Sequence, residues 1–439
     1  MRLHPLGHAM LLVEAAGLRL LFDPLLEDRH HGGVFDVVPP RTVHAETLQP
    51  DFIFVSHRHP DHFDVPSLAR LATLDADSVV ITPDGLVART AERLGFRTVR
   101  VVPPETRVEL DGVTFVTTPS LANDQPIAPE AIEWGVALAS DGVSLWNQVD
   151  TVHRNLSSTL DQLEAALAAK LSLALVVWCP LLEIQASLAG SIGFPFAAYA
   201  ELIEQAAVVA ERSRVVVPGS AGARHAPPWS AMNALVYPVD EARFLRDLAA
   251  RAPNARTLPS SAGRVLDVRT GHDDGASPHA TLHPFVDDRV FRPHDIPRLV
   301  DPNLEQRDEG AMRTTLDAWV RDSLAPTCTG TERCVLEVVY PSSTDAWTLR
   351  GGEVTRESHP DWDLRNVVAA SWLCDVIEGR RHFGDLLLAG VLRAATRAYS
   401  VTARRLHASS APIFLYRPIS YAASFERAIE HQIRLYRSR

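Results

Sequence analysis

Four side chains of the kinds that bind metal ions stand within six positions of one another in the stretch FIFVSHRHPDHFD. His57, His59, Asp61 and His62 follow an apolar run at residues 52–55. Imidazole nitrogens and carboxylate oxygens suit zinc, iron and manganese. Because residues two apart in an extended segment point to the same side, His57 and His59 can bind one metal. Asp61 and His62 follow a proline and can turn towards a second metal, so the spacing predicts a dinuclear centre at the end of a buried strand.

The elements around this stretch alternate between strands and helices. In the first 120 residues, short apolar runs such as SVVITP and VTFVTTP end in turn residues, and helical patches such as LVARTAERLGF stand between them. The order is repeated further along, with the hairpin WGVALASDGVSLWNQVD, an amphipathic helix and two more apolar runs. This alternation predicts a layered α/β architecture.

The chain is predicted to divide into three parts. Residues 1–270 form a catalytic domain, and residues 313–439 form a small C-terminal α+β domain. Between them, residues 271–312 are rich in His, Asp and Pro with little periodicity, which indicates a linker or an extended arm. The irregular spacing of the histidines in that segment favours solvated loop side chains over metal ligands. They are His272, His279, His283 and His294.

The composition limits the classes of function. With 439 residues, 46% of them apolar, the chain can bury a large core. Its net charge of -11 argues against a nucleic-acid-binding surface, which needs clustered Lys and Arg. The longest apolar stretch, LSLALVVWCPLL, is too short to span a bilayer, and polar residues interrupt the apolar start of the chain. We therefore expect a cytoplasmic protein that binds neither nucleic acid nor membranes.

The pattern H-x-H-x-D-H at residues 57–62 resembles the signature of the metallo-β-lactamase superfamily. The opening LGHAMLLVEAAGLRLLFDP is similar to the first hairpin of its broader members, which places His8 and Asp23 near the site as candidate catalytic residues. The resemblance implies an α/β fold, an αββα sandwich, here with the small α+β C-terminal domain. It also implies that Asp23 holds ligating histidines and that Asp150, in GVSLWNQVDT, is a carboxylate bridging two metals.

Two ligands of that superfamily are missing from their usual places. Residues 119–134 contain no histidine and leave Asp124, Glu130 and Glu133 as replacements. The histidine after a late strand is also absent, unless His225 reaches back. The order of motifs along the chain looks like the region of CMP-N-acetylneuraminate hydroxylases that follows the Rieske domain, whose Cys/His motif this chain lacks. That comparison implies Glu130 as the third ligand.

A carboxylate-rich site favours iron, because oxygen donors stabilise its higher oxidation states. The resemblance thus implies a dinuclear metal oxygenase with two Fe ions, similar to the di-iron hydroxylases of this fold. It would hydroxylate or N-oxidise a small-molecule metabolite and take electrons from an external donor. The alternative is a dinuclear hydrolase of an ester, lactone, amide or phosphoester, holding Zn or Mn. A scaffold protein is disfavoured by the intact motif.

The sequence gives weak indications of substrate contacts. Arg224, His225 and Trp229, in GARHAPPW, are candidate substrate-binding residues at a pocket mouth, and a plain surface loop is the equal alternative. The C-terminal domain is expected either to cover the site or to mediate a homodimer.

Overall fold

Strands make up most of the N-terminal part of the molecule. The computed structural model describes residues 1–124, 132–182, 195–287, 289–292, 299, 301, 307–397, 399–402, 405–408 and 412–437. The strands up to residue 282 are β1 (Arg2–Pro5), β2 (Leu11–Ala15), β3 (Leu18–Phe22), β4 (Arg29–His30), β5 (Phe35–Val37), β6 (Arg41–Val43), β7 (Phe52–Phe54), β8 (Val79–Thr82), β9 (Thr98–Val101), β10 (Arg107–Leu110), β11 (Val113–Thr118), β12 (Gly135–Ser140), β13 (Val143–Asn147), β14 (Leu173–Val177), β15 (Val215–Gly219), β16 (Ala223–His225), β17 (Arg256–Thr257), β18 (Arg264–Asp267), β19 (His272–Ala276) and β20 (Ala280–Leu282).

Most of these strands belong to two large sheets. The first has the order β19-β18-β1-β2-β3-β7-β8-β9, and the second has the order β10-β11-β12-β13-β14-β15-β17. Strands β3, β7, β8 and β9 run parallel, as do β13, β14, β15 and β17. The carboxyl ends of parallel strands lie at one edge of a sheet, where α/β proteins commonly bind ligands. The motif at residues 57–62 follows β7 at such an edge.

Helices cover the outer face of each sheet. The helices up to residue 251 are α1 (Ala45–Leu48), α2 (Val65–Leu74), α3 (Gly85–Leu94), α4 (Leu156–Leu167), α5 (Pro195–Arg212), α6 (Asn233–Val236) and α7 (Glu241–Arg251). Between the sheets, buried side chains such as Leu20, Phe54 and Leu145 form one core. A second core joins the first sheet to α2 and α3, and a third joins the second sheet to α4, α5 and α7. The αββα arrangement expected from the sequence is confirmed.

The C-terminal part has its own mixed sheet and core. Its sheet has the order β23-β22-β21-β24-β25, and Trp347 and Trp372 lie fully buried in the core beside it. No described helix combines the length and the apolar composition that crossing a bilayer requires. The elements are α8 (Glu309–Trp319), β21 (Cys334–Val339), β22 (Thr344–Arg350), β23 (Glu353–Thr355), β24 (Leu364–Ala369), α9 (Ala370–Ile377), α10 (Gly384–Leu388), β25 (Leu392–Thr396), β26 (Tyr399–Thr402), β27 (Arg405–Ala408) and α11 (Tyr421–Arg437).

The segment 271–312, expected to be a linker or an arm, begins with two strands. Strand β19 pairs with β18 at the edge of the first sheet, and β20 pairs with β6. Strand β19 is mostly exposed, so its sequence HDDGA shows no apolar alternation. The division of the chain at residues 270 and 312 stays a prediction.

The histidines of this segment differ in their surroundings. His272 and His283 are exposed, as expected, and His294 lies outside the described residues. For His279 the expectation of a solvated side chain is wrong, because it is only 3% exposed. Its carbonyl accepts a hydrogen bond from the His44 N–H at 2.9 Å, which ties this turn to the chain before α1.

Candidate metal centre

The motif at residues 57–62 forms a tight loop between β7 and α2. The backbone N–H groups of His62 and Phe63 donate to the carbonyl of His59 at 2.9 and 2.8 Å. Asp64 then caps α2 by accepting from the Ser67 N–H at 2.9 Å. A strand end, a turn and a capped helix thus follow within a few residues, which gathers the side chains of the motif on one side.

Arg58, between the two histidines, anchors this loop to α3. Its guanidinium donates to both carboxylate oxygens of Asp84, with Nη2 to Oδ1 at 2.9 Å. Asp84 is the N-cap of α3 and accepts from the Leu86 N–H at 2.8 Å. Both side chains are almost completely buried. A bidentate buried pair of this kind fixes the loop geometry.

The structure brings the sequence-predicted ligands together. His57 Nε2 lies 2.8 Å from His59 Nδ1. His62 Nε2 lies 3.1 Å from Asp150 Oδ2 and 3.5 Å from Asp61 Oδ2, and Asp150 Oδ2 is 4.0 Å from His57 Nε2. Donor atoms of His57, His62 and Asp150 form one compact group. Their binding of metal stays a prediction.

Asp150 reaches the loop from the second sheet through a turn after β13. Asn147 Oδ1 accepts from the Val149 N–H at 3.1 Å, and the Thr151 N–H donates to the carbonyl of Gln148 at 3.2 Å. Val149 has a positive φ of 56°, which a tight turn requires. The turn projects Asp150 towards His62 and leaves 39% of its side chain exposed.

Asp23, directly after β3, holds two of the histidines that are predicted to bind metal. Its Oδ2 accepts from His62 Nδ1 at 2.8 Å and from Ser56 Oγ at 2.9 Å. Ser56 Oγ is also 2.9 Å from His57 Nδ1. Because the Ser56 hydroxyl proton goes to Asp23, Ser56 Oγ accepts from His57 Nδ1. Both imidazoles are therefore left with an Nε2 lone pair that can bind a metal.

His8 and His31 flank Asp61 on its other side. His8 Nε2 lies 3.0 Å from Asp61 Oδ2, and His31 Nε2 lies 3.3 Å from Asp61 Oδ1. His8, Asp61 and His62 form a second compact donor group, which shares His62 with the first. The resemblance predicts that His8 lies near the site but does not predict His31, although the adjacent histidines in HHGG, residues 30–33, are a signal for it in the sequence.

A residue from the C-terminal part also borders the centre. Asp385 Oδ1, on α10, lies 3.7 Å from His31 Nδ1, and both side chains are buried. No local pattern in the sequence distinguishes Asp385 from other acidic residues, so this contact could not be foreseen.

The electrostatics of the cluster favour a bound cation. Burial alone would raise the pKa of Asp61, but His62, His31 and His8 hold it well below its usual range. Burial would likewise lower the pKa of His62, but Asp61, Asp150 and Asp23 raise it well above its usual range. Within the described residues, the buried His62 Nε2 lies between the Asp61 and Asp150 carboxylates without a well-aligned hydrogen bond to either. An unsatisfied donor atom between carboxylates is a suitable place for a metal, so the residues present fit metal binding.

The candidates for the third ligand lie in residues 119–134, a region that the structure describes only in part. Glu130 lies outside the described residues, and so does the side chain of Asp124, whose backbone ends the turn Leu121–Asp124. Glu133 is buried and accepts a hydrogen bond from Ser120 Oγ. Burial, together with the negative charge of Asp150, raises the pKa of Glu133 to about 7. Glu133 is thus a carboxyl group beside the centre.

Two of the three candidate substrate residues, His225 and Trp229, contact the C-terminal part. Buried His225 contacts the Leu388 carbonyl through Nε2 at 2.8 Å, and its ring lies 4.4 Å from that of Phe35. The ring of Trp229 packs 5.5 Å from that of Trp372 in the C-terminal core. Within the described residues, His225 joins neither of the donor groups around His62. The substrate-binding role of Arg224, His225 and Trp229 stays a prediction.

A cavity adjoins the centre at His8. It has a volume of about 150 Å³ and is lined by the ends of β1, β14 and β15 together with Trp178 and Phe285. The guanidinium carbon of Arg224 lies 5.0 Å from the centre of the Phe285 ring. A cavity of this volume accommodates a molecule about the size of benzene.

Comparisons with known proteins agree with the fold and the motif. Residues 2–166 match the family model described as beta-lactamase superfamily domain. A UPF0173 metal-dependent hydrolase of Opitutus terrae is 30% identical over 158 residues, covering 34% of this chain and 63% of that protein. A putative Rieske 2Fe-2S iron-sulfur protein of Mycolicibacterium smegmatis is 34% identical over 100 residues, covering 22% of this chain and 19% of that protein.

The aligned segments thus span less than two thirds of either relative. Among solved structures, CmlA, a diiron beta-hydroxylase from Streptomyces venezuelae, is similar with a TM-score of 0.35 at 16% identity, covering 50% of this chain and 45% of that one. The matched residues 2–166 contain the whole loop at residues 57–62 together with His8, Asp23 and Asp150. The N-terminal part of the chain, at residues 2–166, is therefore similar to the beta-lactamase superfamily domain.

Proposed function

We propose that the protein is a metal-dependent oxygenase that hydroxylates or N-oxidises a small metabolite with two iron ions. The observation that carries the proposal is the number of carboxyl groups at the centre. Asp61 and Asp150 both face His62, and the buried Glu133 lies next to Asp150. No histidine stands at residues 119–134, and the family resemblance implies a carboxylate as the third ligand there. Oxygen donors of this kind suit iron in its higher oxidation states.

The proposed division of the ligands follows the spacing of the motif and the family resemblance. Two iron ions held there would supply the redox chemistry by which dioxygen oxidises a C–H or N–H bond. Insertion of one oxygen atom, with the other leaving as water, consumes a pair of electrons and two protons, so an external electron donor is part of the proposal. Asp23 and Ser56 keep the ligand nitrogens oriented, and His8 and His31 hold the Asp61 carboxylate. His57, His59 and Glu130 would hold one ion, Asp61 and His62 would hold the other, and Asp150 would be a ligand to both.

The cavity beside His8 is the proposed substrate site. Trp178 and Phe285 line the cavity with apolar side chains. His8 also lines it, and the contact of its buried imidazole with Asp61 connects this cavity to the centre. Arg224 extends this surface through its contact with the Phe285 ring. The size of the cavity suits a small metabolite or one end of a larger one.

A hydrolase is the second candidate, and two observations favour it. The Opitutus terrae relative is named a metal-dependent hydrolase. Asp150 is partly exposed, so water can reach the side of the centre where it lies. In this case the same residues would hold zinc or manganese, which would polarise an ester, lactone, amide or phosphoester.

The metal content of the purified protein distinguishes these functions. In protein purified from cells grown without added zinc, we expect about two iron ions per chain. We also expect this protein to consume dioxygen when a chemical reductant is supplied. Zinc or manganese alone, together with hydrolysis of a panel of activated esters, lactones and phosphoesters and no dioxygen consumption, would contradict the oxygenase.

The identity of the third ligand is tested by three single variants. We expect Glu130→Ala to deplete one metal more strongly than Glu133→Ala or Asp124→Ala, because Glu133 already accepts from Ser120 and the resemblance implies Glu130. Metal content is measured by elemental analysis after dialysis. If Glu133→Ala or Asp124→Ala caused the larger loss, Glu130 would be the wrong choice.

A further inference from the structure

Three further metal-binding side chains meet on the outer face of the first sheet. His4 lies on β1, Glu14 on β2 and His279 in the turn between β19 and β20. Strands β1 and β2 are antiparallel with His4 opposite Leu12, so His4, Leu12 and Glu14 share one face. Leu12 packs in the core beneath α2 and α3, whereas Leu3 belongs to the core between the sheets. The cluster therefore lies on the helix-covered side of the sheet.

The donor atoms of this cluster are close enough for one ion. One ligand atom from each of His4, Glu14 and His279 lies within 4.8 Å of the others. His4 Nε2 is 3.6 Å from Glu14 Oε2. Tetrahedral zinc with bonds of about 2.0–2.1 Å separates its ligand atoms by about 3.3 Å. The observed separation needs only a small side-chain adjustment.

The two imidazoles are oriented by hydroxyl groups. Thr47 Oγ1 donates to the His44 carbonyl at 2.8 Å, so at 2.8 Å from His279 Nδ1 it must accept the Nδ1 proton. This leaves His279 with an Nε2 lone pair. Ser277 Oγ holds His4 Nδ1 at 3.1 Å. Metal-binding histidines are commonly fixed through the second ring nitrogen in this way.

His4 points an unpaired nitrogen into the cluster. The residue is 3% exposed, and within the described residues its Nε2 has no hydrogen-bond partner. Burial lowers the pKa of His4 and lowers that of His279 to about 4, so both rings are neutral at neutral pH and can bind metal. The side chain of Glu14 is 29% exposed, which gives an ion a path from solvent.

Two arginines also face Glu14 and compete with a cation for it. The closest nitrogen of Arg19 is 3.8 Å away and that of Arg2 is 4.0 Å away. Arg19 also donates to the Thr47 carbonyl at 3.2 Å, and the side chain of Arg2 is 64% exposed. Neither makes a close contact with the carboxylate, so the ion can bind Glu14 with little rearrangement.

We propose that His4, Glu14 and His279 bind one divalent transition metal ion, zinc being the first candidate, at a site separate from the centre at His62. Two imidazoles and a carboxylate with an open fourth position form a ligand set that zinc accepts. The ion would clamp the turn at residues 277–279 onto β1 and β2. This turn belongs to the segment that connects the sandwich to the C-terminal part.

The test compares zinc binding by chelator-treated full-length proteins in equilibrium dialysis against zinc chloride. The parent for this test is the His62→Ala variant, because that substitution impairs the other centre. We expect this parent to bind one zinc ion per chain and the double variant His62→Ala/His279→Ala to bind none. His272→Ala is the matched control, since His272 is exposed on the neighbouring β19, and it should keep this zinc.

The Glu14→Gln variant distinguishes a lost ligand from a disturbed fold, because glutamine has nearly the same shape as glutamate and Glu14 is partly exposed. We expect this substitution to lower the affinity for zinc by about 10-fold or more and to leave the circular dichroism spectrum unchanged. We also expect zinc to raise the Tm of the parent more than the Tm of the variant. Equal zinc stoichiometry and equal Tm response in the parent, His279→Ala and Glu14→Gln would overturn the proposal.

Discussion

Replacing His62 with alanine is expected to remove metal from both halves of the candidate centre and to abolish turnover. Its Nε2 is 3.1 Å from Asp150 and 3.5 Å from Asp61. It belongs to both donor groups, one with His57 and Asp150 and the other with His8 and Asp61. Its single free nitrogen can bind one metal, and the same nitrogen lies against Asp150, the carboxylate proposed between the two ions. Loss of residues that merely orient ligands costs about 10–100-fold in metal affinity, so loss of this ligand, which also removes the imidazole that faces Asp150, should cost more. Elemental analysis should find well under one metal per chain at this centre.

A suitable control for this variant is His153→Ala. His153 is also a buried histidine, 7% exposed, but its described contacts are with Thr151 and the ring of Trp146. It should retain metal and activity, which separates a lost ligand from a disturbed fold. A His62→Ala protein that keeps its full metal content and turnover would refute the assignment of the centre.

The part of the site that the sequence predicts is the part encoded locally. His57, His59, Asp61 and His62 are close in space because a strand end and a turn hold them within a few residues. Their contact with Asp150 was predicted only by the family resemblance. The physical basis of this contact is that β7 and β13 end at the same edge of the sandwich. Periodicity alone could not have identified that partner.

The contacts made across long sequence distances were not predictable. Asp385 lies 354 positions beyond His31, its neighbour in space, and no pattern links the two residues. The burial of His279 also depends on pairing between β20 and β6, which the polar sequence of the segment does not signal. Both cases involve polar residues, whose burial is set by their tertiary partners and not by hydrophobic periodicity.

The packing of the C-terminal part connects it to the metal centre. Helix α11 lies on α2 and α3, with Arg89 and Glu426 3.4 Å apart at their contact. Phe425, on the same helix, stacks on His382 with ring centres 3.5 Å apart and lies 6.5 Å from the ring of His59. The C-terminal part therefore forms one wall around the loop at residues 57–62, and its removal would expose that loop to solvent.

Replacing Asp23 with asparagine is expected to lower metal affinity by about 10–100-fold without unfolding the protein. The carboxylate accepts from His62 Nδ1 and from Ser56 Oγ, and through Ser56 it also orients His57. An amide in its place loses the negative charge and one acceptor, so both imidazoles lose their fixed orientation. Asn tolerates the positive φ of 43° at this position, so the backbone should be preserved.

Two further variants test whether Asp23 acts through its contacts with His62 and, by way of Ser56, with His57. Ser56→Ala breaks only the link to His57, so it should reduce metal affinity less than Asp23→Asn does. Asp64→Asn is the matched control, since Asn replaces Asp equally well as the N-cap of α2 and Asp64 touches no ligating histidine. Competition with a chromophoric chelator gives the affinities of all three variants. If Asp23→Asn and Asp64→Asn bound metal equally tightly, Asp23 would not orient the ligands, and His57 and His62 would owe their positions to packing alone.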